Sequence, residues 1–128
     1  MIIVDSVGWL AFFTGDALAV QYRPYLLRKA DLLCPTIIVY EVCKRMELHA
    51  GRQSAAIAAA QLLKTRIIPL DEALATATAR VSLTNHLAMA DAIIYTTALI
   101  HQAILITSDA HFQGLPSVTY LPHPHVTS

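Results

Sequence analysis

A parallel sheet of four to five strands held between two layers of helices, a three-layer α/β/α sandwich, is the fold class the sequence predicts. Three observations predict it. Short apolar runs alternate with longer helical patterns along the chain. Those runs are continuously apolar, as strands covered on both faces are. Composition agrees: 55% of the 128 residues are hydrophobic and 14% are charged, against about 45–50% and about 25% in ordinary soluble domains. Strand–helix alternation gives a parallel sheet sandwiched by helices, with right-handed crossovers. Ligands in such sheets sit at the carboxyl ends of the strands, near the point where strand order reverses. The length suits one domain over residues 1–128, with about 123–128 as a tail.

The elements follow in order. Residues 1–4 form a β-branched run that ends at Asp5. Residues 6–13 read as a short helix closed by Gly15, and Asp16 is placed to cap a helix running to about residue 30. Residues 32–34 are the second strand, ended by Pro35. Thr36 stands where it can cap a helix reaching His49, with Gly51 as the stop. Residues 54–65, rich in Ala and Leu, are helical. Residues 67–70 are the third strand, and Asp71 caps a helix to about residue 83. Residues 88–101 are apolar nearly all round, so that helix is expected to be buried. Residues 103–107 form the fourth strand and 118–121 a fifth, followed by Pro122.

Several classes are excluded. The most apolar stretch, residues 87–107, contains Asp91, His101 and Gln102, so it lacks the ~20 apolar residues of a membrane span. The opening MIIVDSVGWLAFF has no basic region and meets Asp5 early, unlike a secretory signal. Cys34 and Cys43 form no CxxC and have no histidine at zinc spacing; they read as reduced, buried thiols of a cytoplasmic protein. Nine basic residues balance nine acidic ones, which is unusual for a nucleic-acid enzyme. Arg23, Arg28, Lys29, Lys44, Arg45 and Arg52 nevertheless all fall in the first half; taken alone they describe solvated helix faces.

Four acids stand out. Asp5 follows the first strand directly, and Asp109 follows the fourth by two residues. Glu41 and Asp91 lie on apolar helices. A buried ionised carboxylate is costly unless paired or metal-bound. No Lys or Arg stands within helical reach of Asp91, where Leu87, Ala88, Ile94 and Tyr95 are found. Each acid has a local explanation. Asp5 can cap the helix after it, Asp109 can form an Asx turn, Glu41 can face solvent beside Lys44 and Arg45, and Asp91 can cap a helix starting there. Together they match a fold that gathers strand ends. Gathered carboxylates repel and their pKa values rise; a divalent cation removes the conflict, and oxygen-only ligands favour Mg2+ or Mn2+.

The segments IIVDS, PTIIVYEV, LAMADAIIYTTAL and ILITSDAHF, which carry these acids, are similar to those of PIN-domain proteins of the VapC-like toxin group. The resemblance covers nearly the whole chain, and the last two segments at their spacing carry most of it. It implies a PIN-like fold with an acidic quartet of Asp5, Glu41, Asp91 and Asp109 holding Mg2+ or Mn2+, and supporting hydroxyls at Ser6 and Thr107. It implies hydrolysis of RNA phosphodiester bonds, a homodimer, and a cognate antitoxin whose tail covers the active groove. A cation there would generate a nucleophile from water and stabilise charge on the phosphate. One departure stands out: Asn85 and His86 precede Asp91 where members often carry a glycine and a polar residue, which bears on substrate preference.

Other residues are set aside. His123 and His125 flank Pro124 in the expected tail, His111 just past Asp109 reads as a surface helix residue ahead of one that faces the site, and Trp9, Phe12 and Phe13 read as core or dimer contacts. Tyr40 and Tyr95 read as core-edge residues. A phosphoryl-receiver module would need a lysine after a late strand, and the last lysine is Lys64. The remaining rival is a catalytically inactive PIN-fold module that binds RNA or protein.

Overall fold

The structure, a computed structural model, describes residues 1–124. Five strands, β1 (Ile2–Val4), β2 (Leu32–Pro35), β3 (Arg66–Ile68), β4 (Ile104–Thr107) and β5 (Val118–Tyr120), form one sheet in the order β3-β2-β1-β4-β5. Every pairing is parallel. Five helices flank it: α1 (Ser6–Thr14), α2 (Ala19–Leu26), α3 (Thr36–Leu62), α4 (Glu72–Asn85) and α5 (Met89–Ile100). The expected three-layer sandwich is therefore present. Strand order reverses between β1 and β4, whose register pairs Ile3 with Leu105 and Val4 with Ile106. Their carboxyl ends open side by side, which is where a ligand crevice forms in such sheets.

The core is built where those strands meet α3 and α5. Ile3, Leu33, Ile38, Ile94 and Leu105 are almost wholly buried. Helix α5 is buried along most of its length, as its all-round apolar pattern predicts. Trp9 lies in the core and stacks on Phe13, whereas Phe12 is exposed. Tyr95 is buried and donates a hydrogen bond to the Pro116 carbonyl, while Tyr40 is exposed beside Lys44.

Several boundaries differ from the sequence reading, each for a local reason. The third strand spans Arg66–Ile68 rather than 67–70, because Pro69 cannot donate to the ladder. Thr36 is the first helical residue, not the cap; Pro35 holds that position without a side-chain bond. Asp16 does accept from the Leu18 amide at 3.0 Å, but α2 starts later and stops at Leu26, before a 3-10 turn over Lys29–Asp31. The helices expected on either side of Gly51 abut without a loop, meeting at its left-handed φ of 89°, a conformation that glycine adopts without steric cost. Asp71 caps α4 through the Leu74 amide as expected. Both cysteines are free; Cys34 is buried and Cys43 only half-buried. Burial pushes the Cys34 thiol up to about 12, which leaves it inert.

Gly8 matters by what it lacks. A Cβ there would stand 2.4 and 2.5 Å from ring carbons of Tyr22 and 2.6 Å from Val4 Cγ1. The bare backbone of α1 thus lets α2 and β1 close against it. The Tyr22 hydroxyl then shares a 2.7 Å hydrogen bond with Ser108, just beyond β4. Gly8→Ala is expected to lower unfolding free energy by about 1–3 kcal/mol through overpacking, outweighing a helix-propensity gain of about 1 kcal/mol. Urea denaturation checks the sign.

Candidate metal centre

All four acids line one cleft of about 480 Å³ at the carboxyl ends of β1 and β4, together with Ser6, Arg45, Ser108, Tyr120 and His123. Asp5 leaves β1 and is 5% exposed. One of its oxygens accepts the Ser6 amide at 2.7 Å, so it caps α1. The other accepts the Thr107 hydroxyl at 2.7 Å. Thr107 closes β4, and its Oγ1 also accepts the Asp109 amide at 3.0 Å. A single buried hydroxyl thus joins the two strand-end acids across the point of strand reversal. Asp109 also forms its Asx turn, accepting the His111 amide at 2.9 Å. For both acids, capping and membership of the cleft coexist.

Glu41 and Asp91 arrive from the helices. Glu41 sits one turn into α3, half-buried rather than on a solvated face, and its Oε1 is fully buried with no hydrogen-bond partner. Asp91 does not cap α5; Ala88 does, without a side-chain bond. Asp91 lies in the first turn, where the helix dipole favours a negative charge, and its carboxylate meets His111.

His111 is a surface helix residue and also stands beside the acids, so both of its readings hold. Although exposed, its Nδ1 lies 3.1 Å from Asp109 Oδ1 and 3.3 Å from Asp91 Oδ2. Nothing in the sequence singles out Ser108 or Tyr22, and Arg45 stands out there only as one of the basic residues of the first half. No local signal links Tyr22 to Ser108, since they are 86 residues apart; Arg45 was legible only as four residues after Glu41, on the same helix face. His123 does line the cleft, whereas His125 lies outside the described residues.

The electrostatics are those of crowded acids. Burial, with smaller contributions from Asp91 and Asp109, raises Asp5 from 3.8 to about 6 against the pull of its two hydrogen bonds. Burial and the Asp5 charge raise Glu41, and burial and the Asp109 charge raise Asp91. Asp91, Asp109 and His111 each offer a ligand atom within 4.8 Å of the others, while Asp5 and Glu41 line the same cleft outside that group; with an orphaned buried carboxylate oxygen and three acids pushed toward protonation, the cleft fits a divalent cation, whose charge would reverse each shift.

Without a cation this arrangement costs stability. The folded chain holds a proton on Asp5 to higher pH than the unfolded chain does. Its ionisation therefore removes stability as pH rises from about 4 through about 6, on the order of 3 kcal/mol in all. In EDTA, the unfolding midpoint of Asp5→Asn relative to wild type is expected to rise between pH 4 and pH 7.5, and added Mg2+ to stabilise wild type more than the variant. Parallel pH profiles of the two proteins would contradict this.

The PIN domain family model matches residues 2–117. No curated protein matches the sequence. Among solved structures, a toxin–antitoxin complex from Klebsiella pneumoniae is 24% identical with a TM-score of 0.78, over 93% of this chain and 96% of that one. The sarcin–ricin loop cleaving toxin VapC20 of Mycobacterium tuberculosis is 17% identical with a TM-score of 0.71, over 88% and 92%. DNA-bound VapBC from Salmonella typhimurium is 13% identical with a TM-score of 0.75, over 95% and 98%. At such identities the likeness is one of fold. The family model, spanning nearly the whole chain and both strand-end acids, decides the matter: the protein belongs to the PIN domain family.

Proposed function

We propose that this protein is a Mg2+- or Mn2+-dependent endoribonuclease, the toxin of a toxin–antitoxin pair acting in the cytoplasm. The observation that carries the reading is the convergence of Asp5, Glu41, Asp91 and Asp109 on one cleft, in a chain of the PIN family. Its structural neighbours include a toxin–antitoxin complex and an RNA-loop-cleaving toxin, which supports the choice of RNA and of an antitoxin partner.

In this reading Asp5, Asp91 and Asp109 hold the ion and Glu41 completes the donor set. The ion supplies a lowered pKa for water and a counter-charge for the phosphate. The protein supplies position. Thr107 and the Ser6 amide fix the two oxygens of Asp5, and the Asx turn fixes Asp109. Arg45 is the one Lys or Arg among the described residues lining the cleft, and Lys44 lines the adjoining hollow with it. Both are placed to hold phosphates flanking the scissile bond, as a locally basic edge on a chain of zero net charge.

Val20, Leu48, Ile57 and Leu63 are exposed on α2, α3 and the turn after α3. Apolar surface of this kind suits protein contacts, here a homodimer and the antitoxin. No helix among the described residues is long and apolar enough to cross a membrane.

Two expectations follow. Purified protein with Mg2+ degrades a labelled RNA, EDTA blocks it, and Asp5→Asn or Asp91→Asn lowers the rate at least about 100-fold while remaining folded. Undiminished cleavage by the folded variants overturns the assignment; RNA binding without cleavage by wild type indicates a binding module instead. Light scattering at high concentration is expected to give the mass of a dimer, and a monomer there would exclude it.

A further inference from the structure

We infer that His111 is a nitrogen ligand of the divalent ion, and that it shifts the site's preference from Mg2+ toward Mn2+. The inference rests on the acid cleft being a divalent-cation site, as proposed above.

The placement of the ring is the starting point. The side chain of His111 is 74% exposed, so no apolar packing holds it where it is. What holds it is acid. Nδ1 lies within 3.3 Å of oxygens from two carboxylates that reach the cleft independently, Asp91 from the first turn of α5 and Asp109 from the loop after β4. The backbone reinforces this, because the His111 amide donates to the same Asp109 oxygen at 2.9 Å. The turn that seats Asp109 therefore also seats the imidazole. Phe112, the next residue, is wholly buried and anchors the turn from below.

The spacing fits shared ligation. One donor atom each from Asp91, Asp109 and His111 lies within 4.8 Å of the others. Adjacent ligands on an octahedral ion with bonds of about 2.1 Å stand about 3 Å apart, close to the separations of 3.1 and 3.3 Å from Nδ1. A cation among these atoms takes over the role that Nδ1 plays in bridging the two acids. Ligation uses the neutral ring with its proton on Nε2, on the solvent side.

The donor type sets the consequence. Mg2+ keeps to oxygen ligands and gives up water reluctantly. Imidazole nitrogen is a ligand for first-row transition ions, of which Mn2+ holds it least tightly, and Mn2+ still accepts it more readily than Mg2+ does. Four carboxylates alone leave Mg2+ competitive; an added nitrogen raises affinity for Mn2+ without comparable gain for Mg2+.

Pulsed EPR of EDTA-stripped protein reloaded with substoichiometric Mn2+ reads this without any turnover. Wild type is expected to show 14N coupling from a directly bound imidazole. His111→Ala and His111→Gln are expected to lose it, while His123→Ala, which alters the histidine that lines the cleft, retains it. Mn2+ affinity should fall about 10-fold or more in the His111 variants, whereas Mg2+ affinity, measured by displacement of Mn2+, changes far less. Thermal unfolding verifies that the variants are folded. Tight Mn2+ binding by wild type with no 14N coupling, or with coupling that survives in both His111 variants, overturns the role of His111 and leaves the metal site standing. Failure of wild type to bind Mn2+ at all overturns both.

Discussion

The structure turns on one conflict: carboxylates drawn from β1, α3, α5 and the end of β4 share one cleft. Burial makes each charge costly, and Asp5, the most buried of the group, bears most of that cost, with smaller contributions from the charges of Asp91 and Asp109. No Lys or Arg among the described residues is buried beside them. Neutral donors hold the two strand-end acids: the Ser6 amide and the Thr107 hydroxyl on Asp5, and the His111 amide on Asp109. Those donors orient oxygens without cancelling charge, so the cleft keeps its demand for a positive ligand.

Such a site must be imposed by the remainder of the fold. The parallel register of β1 and β4 brings Asp5 beside Thr107, with the Asp5 amide bonded to the Ile106 carbonyl at 3.0 Å. Behind it, the absence of a side chain at Gly8 admits the Tyr22 ring, and Tyr22 ties α2 to Ser108. His86 ends α4 in a left-handed conformation, φ 56°, which non-glycine residues adopt at some cost. That turn leads through Leu87 to Ala88 and so sets where α5 begins and where Asp91 stands. The close approach at Gly8 and the buried hydroxyls of Thr107 and Ser108 adjoin the strand-end acids.

The same view explains how a chain of zero net charge can serve a polyanion. What matters is charge by location. Arg45 and Lys44 stand on the α3 edge of the cleft, while Arg28 pairs with Asp31 at 3.0 Å on the exposed surface. On the proposed function, a cation held in the cleft and two adjacent basic groups would provide local attraction that the overall balance conceals.

Much of this was legible in the primary structure. Continuous apolar runs and punctuating Gly, Pro and Asp residues determined the five strands, the helices and their order, because burial on both faces and capping are local demands. They also singled out the four acids, since an acid at a strand end or within an apolar helix conflicts with its surroundings in one dimension. One misjudged detail was local, and the others depended on distant atoms. Thr36 looks like a cap until Pro35 occupies that place, and His111 looks like a surface residue until α5 delivers Asp91 to within 3.3 Å of it. Tyr22 and Ser108 carry no mutual signal at all. Sequence alone determined which side chains are chemically out of place; tertiary structure decided that they meet, and what meets them. Hydrogen bonds and charge–charge contacts act over a few ångströms, and only the crossover connections of the sheet bring residues up to 102 positions apart within that range.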